Sequence, residues 1–523
     1  MKFIRFENHA IFWAVVSGLA LTAAFPKAGV SWLAWGALVP LLAAVKDKSA
    51  RQSFGLGLIA GCTHYLTLVY WLADTMRTFG QLHWLVCLPV LFLFAFYLAL
   101  YTAGFAVFIS RGCRHPVILG VFGPVGWVGF EYIRAVFLSG FPWEMLGYSQ
   151  YQVLPIIQIS DMFGVYGVSF LVAVGNTALF LVYQAARSGH WQGKRIQFKH
   201  AAWVGVFFFI LLFLSWGYGE KRIADVDQRI SAAPAPEFAV IQGNIDQASK
   251  WDPAFRLHTL EKYISLSRFT AQRNPVLIIW PETATPFYFM AESDYSPGLI
   301  QAIRAMGCDH LIGSPAFENN GGVVSYRNRA YLVTSDGDIA DHYDKAQLVP
   351  FGEYVPLKRW MPFIGKIVEA VGDFEPGVKG KTLQTKDYRL GIQICYEMIF
   401  PGLSRKLVQN GANCIVNITN DAWYGTSSAP YQLFSMAVFR AVENRRTVIR
   451  AANTGISGFI DPVGRILGTT GLFKDAAMTQ PVPMLTKTSP YTRWGDSFAL
   501  ICLATTIILV FSGMVPPKKR AHH

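Results

Sequence analysis

Eight stretches of this chain are apolar enough to prefer lipid, and they limit what the remainder can be. They run near Ile11–Phe25, Val30–Val45, Phe54–Ala73, Leu85–Ile109, Pro116–Phe137, Met162–Tyr183, Ala201–Gly217 and Phe498–Met514. An upright span needs about 20 apolar residues, so several of these must reach into their flanks. The expectation is a polytopic α-helical membrane domain of about eight transmembrane helices, seven before Tyr218 and one after Arg493.

A chain of 523 residues that is 52% hydrophobic and 15% charged is too apolar for an ordinary soluble protein. Its net charge of +13 could point to nucleic acid, but the charge is unevenly spread. From Tyr218 to Arg493, 29 Lys/Arg stand against 26 Asp/Glu, whereas the other segments hold 17 against 7. The basic excess therefore belongs to the membrane part, where cytoplasmic loops collect Lys and Arg, and no nucleic-acid partner is expected. Lys2/Arg5, Lys46/Lys48/Arg51, Arg111/Arg114, Arg187/Lys194/Arg195/Lys199 and Lys518/Lys519/Arg520 fall on one side of the membrane, with Lys27 and Arg77 in sparse loops opposite. Both termini are then cytoplasmic and Tyr218–Arg493 lies outside the cytoplasm. The expected organisation is 1–217 membrane domain, 218–493 extracytoplasmic domain, and 494–523 final helix and tail.

Four of the seven cysteines, Cys62, Cys87, Cys113 and Cys502, fall in or beside apolar spans and need be no more than small hydrophobes. Cys308, Cys395 and Cys414 lack the spacing of a zinc site. In the membrane part, Glu131 and Arg134 are three apart on one helical face and are expected to pair. The outer loop Ser139–Tyr148 offers Trp143 as a substrate contact, although anchoring at the interface is the commoner use of such a ring.

Beyond Pro234-Ala-Pro236 the pattern becomes short β-rich runs alternating with amphipathic helices, the signature of an α/β domain. Strands are expected at Phe238–Gln242, Val276–Trp280, His310–Gly313, Ala330–Thr334, Ile339–Tyr343, Tyr388–Ile394, Cys414–Thr419, Thr447–Ala451 and Gly458–Ile460. Helices are expected at Pro253–Gln272, Pro297–Met306, Leu403–Asn410 and Tyr431–Arg446. Three strands end in a reactive residue: Glu282 after Val276-Leu-Ile-Ile-Trp-Pro, Lys345 after Asp341-His-Tyr-Asp, and Cys395 after Gly391-Ile-Gln-Ile. Active sites of α/β folds gather at strand ends, where the sheet fixes side chains and loops leave room for substrate. Taken alone, Cys395 reads first as a buried structural cysteine, Glu282 as a surface carboxylate and Lys345 as a solvated cation. On a strand-to-helix turn, however, the sulfur is exposed near a helix N-terminus that favours thiolate.

In this order Trp280-Pro-Glu282, Tyr343-Asp-Lys345 and Cys395-Tyr-Glu397 resemble the three motifs of the carbon-nitrogen hydrolase, or nitrilase, superfamily, over Phe238 to about Ile466. With the membrane helices, the chain looks like the superfamily's membrane-bound acyltransferase branch. Gln242-Gly-Asn-Ile245, Leu348-Val-Pro-Phe-Gly-Glu-Tyr354 and Asn420-Asp-Ala-Trp-Tyr-Gly425 fit that branch. The resemblance implies an α-β-β-α sandwich of nitrilase type in the periplasm of a Gram-negative bacterium, tied to the inner membrane. It implies a catalytic Glu282, Lys345 and Cys395, supported by Glu353, Tyr396 and Glu397. A phospholipid, chiefly phosphatidylethanolamine at sn-1, is the implied acyl donor, and the amine of a diacylglyceryl-apolipoprotein the acceptor. No metal or soluble cofactor is needed. Trp251, Trp143 and Trp360 are candidate substrate contacts. The apolar arms Thr283–Tyr295 and Val355–Val371 are read either as core or as a lipid-contacting lid.

Overall fold

Each apolar stretch of the sequence is helical in the computed structural model, which describes residues 7–291, 294–321, 323–354 and 374–514. Among the described residues, Trp84–Gly112, Pro116–Ser139, Val165–Ala186 and Phe198–Ala232 are long and apolar enough to cross a membrane. Ala50–Leu68 and Trp71–Thr78 together form one further candidate span, bent by 50°. Asn8–Ala23, Ser31–Val45 and Ser497–Phe511 are shorter. The stretch expected as one helix at Val30–Val45 is broken into a 3₁₀ turn, Ser31–Trp35, and a helix, Val39–Val45. Pro40 explains the restart: it has no N–H to give the preceding turn and suits the first turn of a new helix.

The chain forms two compact units. One holds the residues up to Tyr70, Leu88–Glu220 and those from Trp494; the other holds Trp71–Cys87 and Lys221–Arg493. Trp71–Cys87 thus belongs with the α/β unit, where the sequence reading assigned it to the membrane domain.

Within the first unit, Glu131 and Arg134 do not pair; each instead grips the segment that follows their helix. Arg134 Nη1 donates to the carbonyls of Phe141 (3.0 Å) and Trp143 (2.7 Å). Glu131 Oε1 accepts from the Trp127 indole (3.0 Å) and the Leu146 N–H (2.7 Å). A buried charge is tolerable when backbone dipoles face it, and here those dipoles replace the expected partner. Trp143 is 1% exposed and stacked on Phe141 at 5.6 Å. Its ring is packing material for this loop, and no surface of it is open to a substrate.

In the second unit, β1 (Glu237–Gln242), β2 (Leu277–Ile279), β3 (Asp309–Asn320), β4 (Val323–Val333) and β5 (Ile339–Asp344) share a sheet with β12 (Ala476–Pro481), in the order β12-β1-β2-β3-β4-β5. The second sheet is β11-β10-β9-β8-β7-β6, from β6 (Thr382–Gln384), β7 (Arg389–Ile394), β8 (Cys414–Thr419), β9 (Thr447–Ala452), β10 (Gly458–Ile460) and β11 (Ile466–Thr469). Each sheet has a parallel centre, β1-β2-β3 and β7-β8-β9, with antiparallel strands outside it. Helices α1 (Arg256–Ala271) and α2 (Ser296–Met306) cover the first sheet through Leu260, Tyr263, Leu299 and Ile303, which pack with Ile241, Ile278 and Ile312. Helices α3 (Pro401–Gln409) and α4 (Ala429–Asn444) lie against the second sheet. The sheets also touch one another, β1 with β9 and β4 with β7, so the layers run α-β-β-α. Burial on both faces explains why β8 and β9, covered at all six positions, show no apolar-polar alternation, and their buried polar residues Asn417 and Arg450 bond each other at 2.6 Å. Strands β6, β11 and β12 escaped the sequence reading because they are edge or near-solvent strands of weak pattern, such as the mostly exposed β11.

Candidate active site

Cys395 follows the last residue of β7, and its backbone is left-handed, with φ of 56°. That conformation is unfavourable for a residue with a Cβ and is held by the turn Cys395–Ile399 that leads to α3. The expected helix N-terminus does not lower the thiol. The sulfur is buried rather than exposed, and burial pushes its pKa up to about 12, with the charge of Glu282 adding to the rise and that of Lys345 opposing it. At neutral pH the sulfur is therefore in its thiol form.

Glu282 is placed by the loop after β2, and Gly313 of β3 permits it. A Cβ at Gly313 would overlap the Pro281 carbonyl and crowd the Glu282 Cα. The carboxylate is 6% exposed and held from both sides: Oε1 accepts from Asn328 Nδ2 at 2.7 Å and Oε2 from the Asn420 N–H at 2.8 Å. Lys345 Nζ lies 3.6 Å from Glu282 and 2.7 Å from Glu353 Oε1. Burial works against the Lys345 charge, but Glu353 and then Glu282 outweigh it and hold the ammonium above its ordinary range. Asn328 Nδ2 also reaches Glu353 Oε1, at 3.2 Å, so one amide joins both carboxylates that flank the lysine.

Glu397 is completely buried, and its hydrogen bonds go to the lysine's loop. It accepts from the N–H groups of Ala346 (2.7 Å), Gln347 (2.9 Å) and Ile394 (2.7 Å) and from the Tyr343 hydroxyl (3.0 Å). Burial raises its pKa to about 7 although the backbone donors pull the other way. Glu397→Gln would turn an amide N–H₂ toward backbone donors. The expected result is a loss of about 1–3 kcal/mol in stability, read as a lowered Tm. An unchanged Tm would show that the carboxylate is dispensable for the loop.

The remaining predicted residues are dispersed. Tyr396 is buried with its ring edge-on to Phe400 at 5.0 Å. Trp251 is 36% exposed in the loop after β1. Trp360 and the arm Val355–Val371 lie outside the described residues. In the other arm Phe287 and Phe289 are 1% and 2% exposed within the core cluster beneath α2, whereas Met290 is 54% exposed. Asn328 and Asn420, which hold the Glu282 carboxylate, were missed. Asn420 had a signal in its motif, whereas Asn328 sits mid-strand in β4, where sequence offers none. The loop carrying Asn420 is braced by the segment Trp71–Cys87: Thr75 Oγ1 donates to the Trp423 carbonyl at 2.9 Å, Phe79 lies edge-on to Trp423, and Trp71 edge-on to Tyr424.

Among the described residues, Glu318, His342 and Asp344 could reach one metal ion. Arg329 already binds both carboxylates, with Asp344 in a bidentate pair at 2.6 and 3.0 Å, so the negative charge a cation needs is spent on the guanidinium.

Two helix-backed sheets with a thiol, a carboxylate and an ammonium at separate strand ends are the arrangement of a carbon-nitrogen hydrolase domain, and residues 237–484 match the family model described as carbon-nitrogen hydrolase. Residues 17–178 match the model described as apolipoprotein N-acyltransferase N-terminal domain. Apolipoprotein N-acyltransferase of Geobacter metallireducens is 43% identical over 98% of this chain and 96% of its own, and that of Methylococcus capsulatus is 33% identical over 96% of each. The chain belongs to the apolipoprotein N-acyltransferase family. An amidase from Nesterenkonia sp. covers 49% of this chain and 92% of its own at 20% identity, with a TM-score of 0.36, too low to bear on the site.

Proposed function

We propose that this acyltransferase moves an acyl chain from a phospholipid, through a thioester on Cys395, to the α-amine of the N-terminal S-diacylglyceryl-cysteine of apolipoproteins. Glu282 takes the thiol proton, and the sulfur attacks the sn-1 ester carbonyl of phosphatidylethanolamine. Lys345 faces the oxyanion that forms. The ester C–O bond breaks, the lysophospholipid leaves with the proton, and the thioester remains. The acceptor amine then attacks the thioester, loses a proton to Glu282, and leaves as the amide while the thiol re-forms.

One observation supports this most directly: Glu282 is oriented by two donors beside a lysine whose charge is secured by Glu353. A fixed base and a fixed cation are what a buried thiol of raised pKa requires. A membrane-tethered amidase would share the first step and use water in the second; the family relationship favours the amine. The positive-inside pattern supports eight spans in the bacterial inner membrane, cytoplasmic termini and a periplasmic catalytic domain.

The test is the intact mass of the full-length protein after phosphatidylethanolamine, then after a diacylglyceryl-cysteine peptide. A hydroxylamine-labile acyl adduct on Cys395 that moves to the peptide amine is expected. An adduct lost to water, with the peptide unmodified, would overturn transfer in favour of hydrolysis.

A further inference from the structure

Lys250 is 2% exposed, and among the described residues its ammonium has no hydrogen-bond or ion-pair partner. It lies in the loop after β1, one residue before Trp251, and its own N–H donates to the Asp246 carbonyl at 3.0 Å. That loop is tied to the active site. Gln247 Oε1 accepts from Asn420 Nδ2 at 2.7 Å, and the Ile245 N–H donates to Asn453 Oδ1 at 2.9 Å. Asn453 in turn donates to Asn420 Oδ1 at 3.1 Å, and it is the Asn420 N–H that holds Glu282. Burial brings the lysine down to about 8, and among the described residues the charge of Glu282 opposes that fall. No ion pair joins Lys250 to Glu282, whose oxygens accept from Asn328 and Asn420.

A desolvated cation without a counter-charge is costly, and an anion arriving beside it is strongly favoured. The acceptor peptide brings an amine and uncharged acyl esters. The donor brings a phosphodiester, separated from its reacting ester only by the glycerol backbone. Resting on the acyl-transfer reading above, we infer that Lys250 is a binding residue for the phosphodiester of the phospholipid donor, engaged while the ester carbonyl lies against Cys395. The lysophospholipid carries the anion away, so the contact serves the first half-reaction and not the second.

The test is the rate of Cys395 acylation in the full-length protein, read by intact mass, with two donors: phosphatidylethanolamine and an uncharged p-nitrophenyl ester of the same acyl chain. Lys250→Met keeps most of the aliphatic stem and removes the charge. The expected result is a fall of roughly tenfold to a hundredfold with phosphatidylethanolamine, the loss of one charge-assisted contact, and little change with the uncharged ester. Lys250→Arg should recover part of the loss. Equal falls with both donors would mark Lys250 as structural, and no fall with either would remove it from the site; both results overturn the assignment. Inorganic phosphate that slows wild-type acylation by the uncharged ester, but not that of Lys250→Met, would assign the cation to free phosphate and overturn the lipid assignment. Failure of the wild type itself with phosphatidylethanolamine would sink the functional reading and this assignment together, whereas the other outcomes bear on Lys250 alone.

Discussion

Cys395→Ala is expected to lose acyl-enzyme formation and peptide acylation completely within detection, a fall on the order of a thousandfold or more, while the protein remains folded. The sulfur is the atom proposed to carry the acyl chain, and the hydroxyl of Thr419, which donates to Asp421 at 2.8 Å, is no substitute for it. Alanine keeps the Cβ and the left-handed turn at φ of 56°, so backbone strain is unchanged and the loss reports the sulfur alone. Intact mass after phosphatidylethanolamine, with thermal unfolding run in parallel, checks it. A variant that still gains a hydroxylamine-labile acyl group would move the thioester away from Cys395.

Glu282→Gln is expected to slow acylation by about a hundredfold to ten-thousandfold at neutral pH, the range for removing a positioned base. Its signature lies in the pH dependence. The thiol is raised to about 12 in the wild type, with burial the larger cause and Glu282 the second, so removing that charge lowers the thiol only in part. Across pH 7–9 the thiol of the variant is still mostly protonated. Its thiolate fraction, and hence its acylation rate, should climb about tenfold per pH unit. The wild type uses the carboxylate to remove the proton and should show a much shallower rise. Initial rates of acyl-enzyme formation across that range decide it, and a variant with a flat profile would rule out Glu282 as the base.

How much of this was legible in the sequence depends on the range of the interactions involved. The strand-end positions of Glu282 and Cys395 could be read because each follows a local run of β-branched and apolar residues, and that of Lys345 because it closes a strand joined to its neighbour across Asp336-Gly337. The same local logic placed β8 and β10 at the expected bounds and α1, α2, α3 and α4 close to theirs. It failed for the pairing of Glu131 with Arg134, where helical spacing put both on one face but the carbonyls of Phe141 and Trp143 were the better partners. It left Phe287 and Phe289 open, since their apolarity suits a lipid-facing arm and a core equally, and the packing beneath α2 places these two in the core.

The sequence by itself therefore determined the membrane character of the chain, its α/β domain and the three reactive residues, because hydrophobic period and strand chemistry act between neighbours. The tertiary structure alone decided what state those residues occupy. The Glu282 carboxylate is aimed by Asn420, 138 positions along the chain, and by Asn328, 46 positions along. The lysine's loop is fixed by Glu397, about 50 positions beyond it. The cysteine is a thiol rather than a thiolate because of what covers it. Hydrogen-bond partners and desolvation are properties of contacts between segments far apart in the chain, and no local pattern encodes them.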